Sequence, residues 1–215
     1  MAPLSNQTSI RSGTRFIGFP LLLTNMISST NKLLDYKEFL KYGDKFIETG
    51  SAAGEGIQRA LEAGFQEVHS IEAQREWYEV CVNRFMGDPR VFLHHGRSSE
   101  VLGIPLIKST NTGVVFFLDA HPSGPLTAGH WDVMLHGSDS EYAQHNIILS
   151  ELRLIFSWYF EPVIMIDDQH GNDLDNEKYM LEILNWNKDY KFQFYDENLG
   201  GNNFYKDKIM VAVKK

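Results

Sequence analysis

Residues 45–56 read KFIETGSAAGEG, a short apolar run that ends in an acid and is followed by a loop with three glycines. The run predicts a strand over 45–48, and Ile57, Ala60 and Leu61 have the spacing of a helix over 56–63. Glycines between a strand and a helix let a ligand approach the backbone, while the helix start offers unpaired N–H groups. We therefore predict a ligand-binding loop here, with a plain tight turn as the alternative.

The same alternation of strand-like and helix-like segments continues along the chain. Further strands are predicted at 67–72, 91–94, 114–119 and 163–168, and further helices at 77–85 and 146–159. The last two of these strands are almost continuously apolar, as expected of strands covered on both faces. The pattern predicts an α/β fold with a doubly wound, mostly parallel sheet and helices on both faces.

The C-terminal end of the chain departs from this alternation. Residues 192–195 and 208–213 are two strand-like runs, and the polar connection between them contains Gly200 and Gly201 but no helical pattern. Two strands joined in this way predict an antiparallel hairpin. The sheet should thus have seven strands and be closed by this hairpin, unlike the sheet of an ordinary dehydrogenase domain.

Size and charge limit the domain organisation and the partners. A chain of 215 residues with 43% hydrophobic residues can bury one sizeable core. We divide it into an N-terminal arm or helical extension, residues 1–44, and a Rossmann-like domain, residues 45–215. The formal net charge of −8 argues against a nucleic-acid partner, which would require a basic face.

One apolar stretch, Phe16–Ile27, is a candidate membrane or targeting segment. It is too short to span a bilayer and is interrupted by Pro20, so we predict an arm or helix that packs on the domain, with a signal peptide as the alternative. We accordingly expect no membrane association. The single cysteine, Cys81, fits a reducing compartment, and we predict a cytoplasmic protein. The aromatic run 158–160 is a candidate for the core or for a homo-oligomer interface.

A second acid strengthens the prediction of a ligand site. Glu72 ends the predicted strand 67–72 and follows Glu48 by 24 positions. An acid at this place typically accepts hydrogen bonds from ribose hydroxyls. The loop and Glu72 together indicate an adenosine-containing ligand.

The pattern E-x-G-x-A-x-G at Glu48, Gly50, Ala52 and Gly54 resembles the first motif of class I S-adenosylmethionine-dependent methyltransferases, which prefer glycine at the place of Ala52. The segment His95–Glu100 is similar to the family's third motif, where an acid that contacts the adenine amine is replaced by Arg97. The resemblance extends to the C-terminal hairpin. It implies S-adenosylmethionine as cofactor, bound by Glu48, Gly50, Ser51, Ala52, Gly54, Glu72, Ala73, Gly96, Arg97, Ser98 and Asp119.

Acids also follow the later strands. Asp119 and His121 follow one predicted strand, and Asp167 and Asp168 end the next. Strand ends at one sheet edge face one crevice, and converging carboxylates repel each other unless a proton, solvent or a cation intervenes. Asp119, His121, Asp167 and Asp168 are therefore candidate ligands of Mg²⁺ or Mn²⁺, with helix capping as the alternative for each aspartate.

The same acids resemble the metal site of metal-dependent O-methyltransferases of the catechol and macrocin types. The resemblance makes Asp167 and Asp168 metal ligands, and it makes Asp119 either a ligand or the base, in which case His121 is a ligand. Residues 119–128 are also similar to the pattern D-[AG]-H-x-S-G-x-x-T-A of an uncharacterised methyltransferase-like group. Asp119, His121 and His170 are the candidate proton acceptors.

These observations favour methyl transfer from S-adenosylmethionine to an oxygen of a small-molecule acceptor, assisted by a divalent metal. Two other functions remain. NAD(P)-dependent oxidoreductases also bind their cofactor with a glycine-rich loop and an acid, so such an enzyme is one alternative. The other is a non-catalytic nucleotide-binding module of the same fold, because Ala52 and Arg97 depart from the methyltransferase motifs.

Overall fold

The structure is a computed structural model that describes residues 26–103, 113–120, 140–159, 161–170, 174–196 and 207–215. Of residues 29, 31, 140–146, 168–170, 174, 175 and 207 it describes the backbone alone. Eight strands in the described ranges form one sheet, in the spatial order β1-β7-β8-β6-β5-β2-β3-β4. The strands are β1 (Ile27–Leu33), β2 (Lys45–Thr49), β3 (Glu67–Glu72), β4 (Val91–His95), β5 (Val114–Leu118), β6 (Val163–His170), β7 (Tyr190–Asp196) and β8 (Asp207–Lys214).

Helices connect most of the strands. A 3-10 helix (Tyr36–Tyr42) precedes β2, and five α-helices lie in the described ranges: α1 (Glu55–Ala63), α2 (Arg75–Arg84), α3 (Ser98–Val101), α4 (Ser140–Trp158) and α5 (Leu174–Trp186). Strands β2 to β6 are parallel to one another, whereas β8 lies antiparallel between β6 and β7. The predicted fold, a mostly parallel sheet closed by a C-terminal hairpin, is confirmed.

Each face of the sheet buries its own hydrophobic cluster, which confirms that helices cover both faces. On one face, β2 and β5 pack against α4 and α5 through residues such as Ile47, Phe116 and Leu152. On the other face, Phe46 and Phe117 pack against the 3-10 helix and α1. All five residues of β5 are buried, because a central parallel strand is covered on both sides.

Strand β1 adds an edge strand to the seven that the sequence predicts. It lies within residues 1–44 and pairs in parallel with β7, with Ile27 opposite Phe192. The predicted arm or helix over 16–27 lies outside the described residues except for Met26 and Ile27. No helix among the described residues is long and apolar enough to cross a membrane.

Removing residues 1–33 should make the protein aggregate. The deletion takes away β1, leaves the backbone of β7 unpaired along the sheet edge, and uncovers the apolar cluster that Met26 and Ile27 contact. Size-exclusion chromatography and thermal denaturation of the truncated chain measure the effect. A monomeric truncated protein with an unchanged melting temperature would contradict it.

Candidate functional site

The candidate site lies at one edge of the sheet, which we call the carboxyl edge because β2 to β6 all end there. Strand β2 lies between β3 and β5, and β6 follows β5, so the residues after these strands are spatial neighbours. Glu48 is the second-last residue of β2, Glu72 is the last residue of β3, and Asp119 directly follows β5. Asp167 lies within β6, three residues before its end. The ends of β2, β3 and β5 are therefore neighbours at this edge, and the convergence of the four predicted metal ligands stays a prediction.

Gly50 begins the loop after β2, at a point where hydrogen bonds connect the end of β2 with the ends of β3 and β5. Its N–H donates to the carbonyl of Ile71 over 2.9 Å, and the N–H of Asp119 donates to the carbonyl of Thr49 over 3.0 Å. The backbone at Gly50 has a positive φ of 86°, and a Cβ atom there would lie 2.5 Å from the Asp119 carbonyl oxygen. Only glycine fits between the ends of β2 and β5 in this way.

Gly50→Ala should destabilise the protein and disturb the loop, whereas Gly87→Ala should cost less. Both glycines have φ near 90°, but a Cβ at Gly87 would meet nothing within 4 Å. The shared backbone strain is about 1–2 kcal/mol, so any excess loss at Gly50 measures the collision with Asp119. Urea denaturation of both variants gives the comparison, and equal losses would contradict the tight contact.

Ala52 also adopts a left-handed backbone, with φ of 41°. A left-handed backbone costs alanine about 1–2 kcal/mol and costs glycine nothing. This agrees with the preference for glycine at this place in the methyltransferase motif that the loop resembles. The Ala52 N–H donates to Glu72 Oε2 over 3.0 Å, and its carbonyl accepts a weak bond from the Cys81 thiol. The loop is thus fixed in place at the predicted ribose-binding acid.

Glu72 is buried and holds the two loops beside it. Its Oε2 accepts from Ala52 and its Oε1 accepts from the N–H of Gln74 over 2.7 Å, across the intervening Ala73. A carboxylate has about four lone-pair positions, so two remain for a ligand. The predicted role in ribose binding stays a prediction, for which these two lone-pair positions are available.

Glu48 lies beneath the loop. Its carboxylate accepts a hydrogen bond from the Ser70 hydroxyl, which in turn bonds the Ser51 hydroxyl. Burial raises the pKa of Glu48 to about 8 although the Ser70 bond lowers it, which favours the protonated form of the side chain at neutral pH. The described contacts of Glu48 are with residues that shape the loop, and a Cβ at Gly56 would collide with its Oε1.

The segment that resembles the third motif meets Glu72. The N–H of Gly96 donates to the Glu72 carbonyl over 2.9 Å, and Ser98 begins α3 immediately after Arg97. Ser98 is 9% exposed. The structure therefore brings the predicted adenine-side segment beside the predicted ribose-side acid.

Tyr36, in the 3-10 helix, is a residue of this edge that the sequence patterns do not reveal. Its ring packs against Phe46 and Phe117, at centroid distances of 5.4 and 5.9 Å, and its buried hydroxyl has no hydrogen-bond partner. Burial raises the pKa of Tyr36; Glu48 raises it further, Arg59 lowers it, and Asp167 and Asp119 raise it. Three acids on or beside the carboxyl edge thus act electrostatically on its hydroxyl.

The predicted metal ligands are described only in part. His121 lies outside the described residues, and the side chains of Asp168 and His170 are not described. Asp167 is buried within β6, at an irregularity where β6 gains one residue relative to β8 between Ile166 and Gln169. No group of three metal-binding side chains occurs among the described residues, so the metal site stays a prediction.

Glu151, on α4, is a second residue of this edge that local patterns do not assign to it. It is fully buried, and neither carboxylate oxygen makes a hydrogen bond of good geometry. Burial raises its pKa to about 8, the Ser98 and Thr49 hydroxyls that face it lower the pKa, and Asp119 raises it. The signal in the sequence is an acid among apolar residues: Ile148 and Leu152 lie on the same helix face.

Comparisons with known proteins find similarity in structure alone. No family model matches the sequence, and no curated protein shows significant similarity to it. The methyltransferase domain of a bacterial CtHen1 aligns with a TM-score of 0.52 at 12% identity, over 83% of this chain and 94% of that chain. A second structure of that domain gives a TM-score of 0.51 with the same identity and shares.

A spermidine synthase from Thermotoga maritima gives a TM-score of 0.50 at 10% identity, over 84% of this chain and 60% of that chain. At such identities the likeness concerns the fold and leaves the reaction open. The strand order, the antiparallel β8 and the methyltransferase-domain neighbours agree with one another. The chain has the Rossmann-like fold of class I methyltransferases.

Proposed function

We propose that the protein is an S-adenosylmethionine-dependent methyltransferase that methylates an oxygen of a small hydroxylated acceptor. The observation that carries the proposal is the bond from the Ala52 N–H to Glu72, which joins the loop after β2 to the acid at the end of β3. In parallel α/β sheets nucleotide-like ligands bind across such neighbouring strand ends.

The residues present fit this cofactor. Gly50, Ala52 and Gly54 have a left-handed backbone, and Gly54, which precedes α1, makes no side-chain cap hydrogen bond to the first N–H groups of that helix. Glu72 keeps two acceptor positions for ribose hydroxyls, and Ser98 follows by two residues Gly96, whose N–H is bonded to the Glu72 carbonyl. The chemistry that S-adenosylmethionine supplies when bound is an electrophilic methyl group on a sulfonium.

The chain's own contribution is orientation and proton transfer. Asp119 is partly exposed directly after β5, and its backbone is fixed by Thr49 and by contact with Gly50. From there its carboxylate can accept the proton of an acceptor hydroxyl, and His121 and His170 are further candidates for that role. Holding the reacting groups in line supplies much of the rate in such a displacement.

A divalent cation bound by Asp119, His121, Asp167 and Asp168 would lower the pKa of the acceptor hydroxyl. Mg²⁺ or Mn²⁺ should then raise the melting temperature, with about 2.7 kcal/mol of stabilisation at a hundredfold excess over Kd, and EDTA should reverse the effect. Asp168→Asn should abolish the shift. Identical responses of the wild type and Asp168→Asn would rule out the metal site and leave these acids as caps or bases.

Isothermal titration with S-adenosylhomocysteine, the demethylated product, tests the proposal, with NADH as the comparison ligand. The expected result is one site for S-adenosylhomocysteine and no heat with NADH. The antiparallel β8 between β6 and β7 already distinguishes this sheet from that of ordinary dehydrogenases. Binding of NADH alone would favour the oxidoreductase, and binding of neither would favour a non-catalytic module.

A further inference from the structure

Glu151 is an acid in the hydrophobic cluster that the apolar face of α4 forms with the sheet. It has no exposed surface, and its neighbours on the helix face, Ile148 and Leu152, are buried as well. Neither of its oxygens makes a hydrogen bond of good geometry. An unsatisfied carboxyl in such surroundings costs stability, so the fold alone gives no reason for its presence.

The groups that face Glu151 come from the carboxyl edge. They are the hydroxyls of Thr49, the last residue of β2, and of Ser98, the first residue of α3. The Thr49 hydroxyl is buried and likewise makes no hydrogen bond of good geometry. Asp119 is the charged group that acts on Glu151 from the described elements around it.

These three side chains can satisfy one another in one arrangement. A carboxylic acid donates one proton and accepts with its other oxygen, so Glu151 can donate to Thr49 and accept the hydroxyl proton of Ser98. The raised pKa of Glu151 is consistent with a protonated side chain at neutral pH. In this arrangement the lone pairs of Ser98 are left free to face outward.

Ser98 lies closer to the protein surface than Glu151. Ser98 keeps 9% of its surface exposed and Glu151 keeps none, so of the two only Ser98 has surface that a ligand could contact. Ser98 also lies two residues after Gly96, whose N–H is bonded to the Glu72 carbonyl. If Glu72 holds the ribose, Ser98 is placed at the next group of the ligand, which is the base.

We propose that Glu151 is a positioning residue for the cofactor's base: it binds the hydroxyl proton of Ser98, so that Ser98 accepts a hydrogen bond from the exocyclic amine of adenine. The proposal rests on the proposed function. According to the proposal, Glu151 does not touch the ligand. Through Ser98 it nevertheless makes the site prefer adenine to a base that carries a carbonyl in place of the exocyclic amine.

The test compares two probes, S-adenosylhomocysteine and its deaminated counterpart S-inosylhomocysteine, in which a carbonyl replaces the amine. The wild type should bind the adenine compound about tenfold more tightly, since the inosine carbonyl would face the Ser98 lone pairs. Glu151→Gln should keep the preference, because an amide also accepts from Ser98 and donates to Thr49. Glu151→Met should reduce the preference to about twofold, because methionine cannot accept the Ser98 proton as a carboxyl does. The Glu151→Met variant should remain folded, because an apolar side chain is tolerated where a carboxyl was buried.

Equal weakening of both probes in Glu151→Met, or an unchanged preference, would overturn the positioning role, because a purely structural residue affects both probes alike. If neither Glu151 variant folds, Ser98→Ala decides: it should lose the preference, and retention of the preference overturns the proposal. A wild type that binds neither probe refutes the proposed function, and this inference with it. A wild type that binds both probes equally refutes only the inference.

Discussion

Replacing Glu72 with alanine should weaken the binding of S-adenosylmethionine by about 1.5–3 kcal/mol, the range for hydrogen bonds to a charged group. Two effects combine in this loss. The variant lacks the acceptor proposed for the ribose hydroxyls, and it releases the N–H groups of Ala52 and Gln74 that Glu72 now holds. Isothermal titration of the variant and the wild type measures the change in Kd.

Glu76→Ala is the matched control for Glu72→Ala. Glu76 is an exposed acid only four residues away, in the first turn of α2, and it has the same charge. Glu76→Ala should leave the Kd for S-adenosylmethionine unchanged. It should lower the stability of α2 slightly, because an acid in the first turn favours the helix. An unchanged Kd in Glu72→Ala, or equal weakening in both variants, would contradict the ribose-binding role.

The free energy of unfolding should fall as the pH rises from 6.5 to 8. Burial raises the pKa of both Glu48 and Glu151 from 4.5 to about 8, so above pH 4.5 the folded state binds protons that the unfolded state has released. The stability these protons provide is lost as the pH approaches 8. The loss is at most about 1.4 kcal/mol per pH unit for each group.

The upper part of this pH range separates these two acids from other shifted groups. Burial lowers the pKa of His69 from 6.5 to about 4 and also lowers the pKa of His94, so their effect on stability, which has the opposite sign, fades as the pH rises above 6.5. Burial raises the pKa of Cys81 from 9.0 to about 11, so its effect lies above it. Urea denaturation at several pH values gives the slope.

Glu48→Gln and Glu151→Gln should each reduce this slope, because glutamine does not titrate. Glu76→Gln, an exposed acid, serves as the control and should leave the slope as in the wild type. A slope that is flat in the wild type, or that is the same in all four proteins, would contradict protonation of the two buried acids.

Strands with strong apolar patterns are predicted well from the sequence. Strand β3 has the predicted bounds, and β5 ends one residue earlier than predicted, at Leu118, because Asp119 already belongs to the loop. Strand β1 is not predicted, since its sequence ISSTNKL has little apolar periodicity. Backbone pairing with β7 defines this strand, and pairing with a distant segment leaves no local pattern.

The same distinction holds for the candidate site. The loop after β2 and Glu72 can be identified because their signals are local: glycines between a strand and a helix, and an acid at a strand end. Tyr36 and Glu151 cannot be identified in this way. Their relevance depends on which distant side chains they face, and tertiary packing alone decides that.

A crystal structure of the protein with S-adenosylhomocysteine tests the central claim most directly. The account predicts that the ligand lies across the ends of β2 and β3, with its ribose hydroxyls on Glu72, its base beside Ser98 and its homocysteine part toward Asp119. A ligand bound elsewhere on the molecule, or bound here without contact to Glu72, would contradict it.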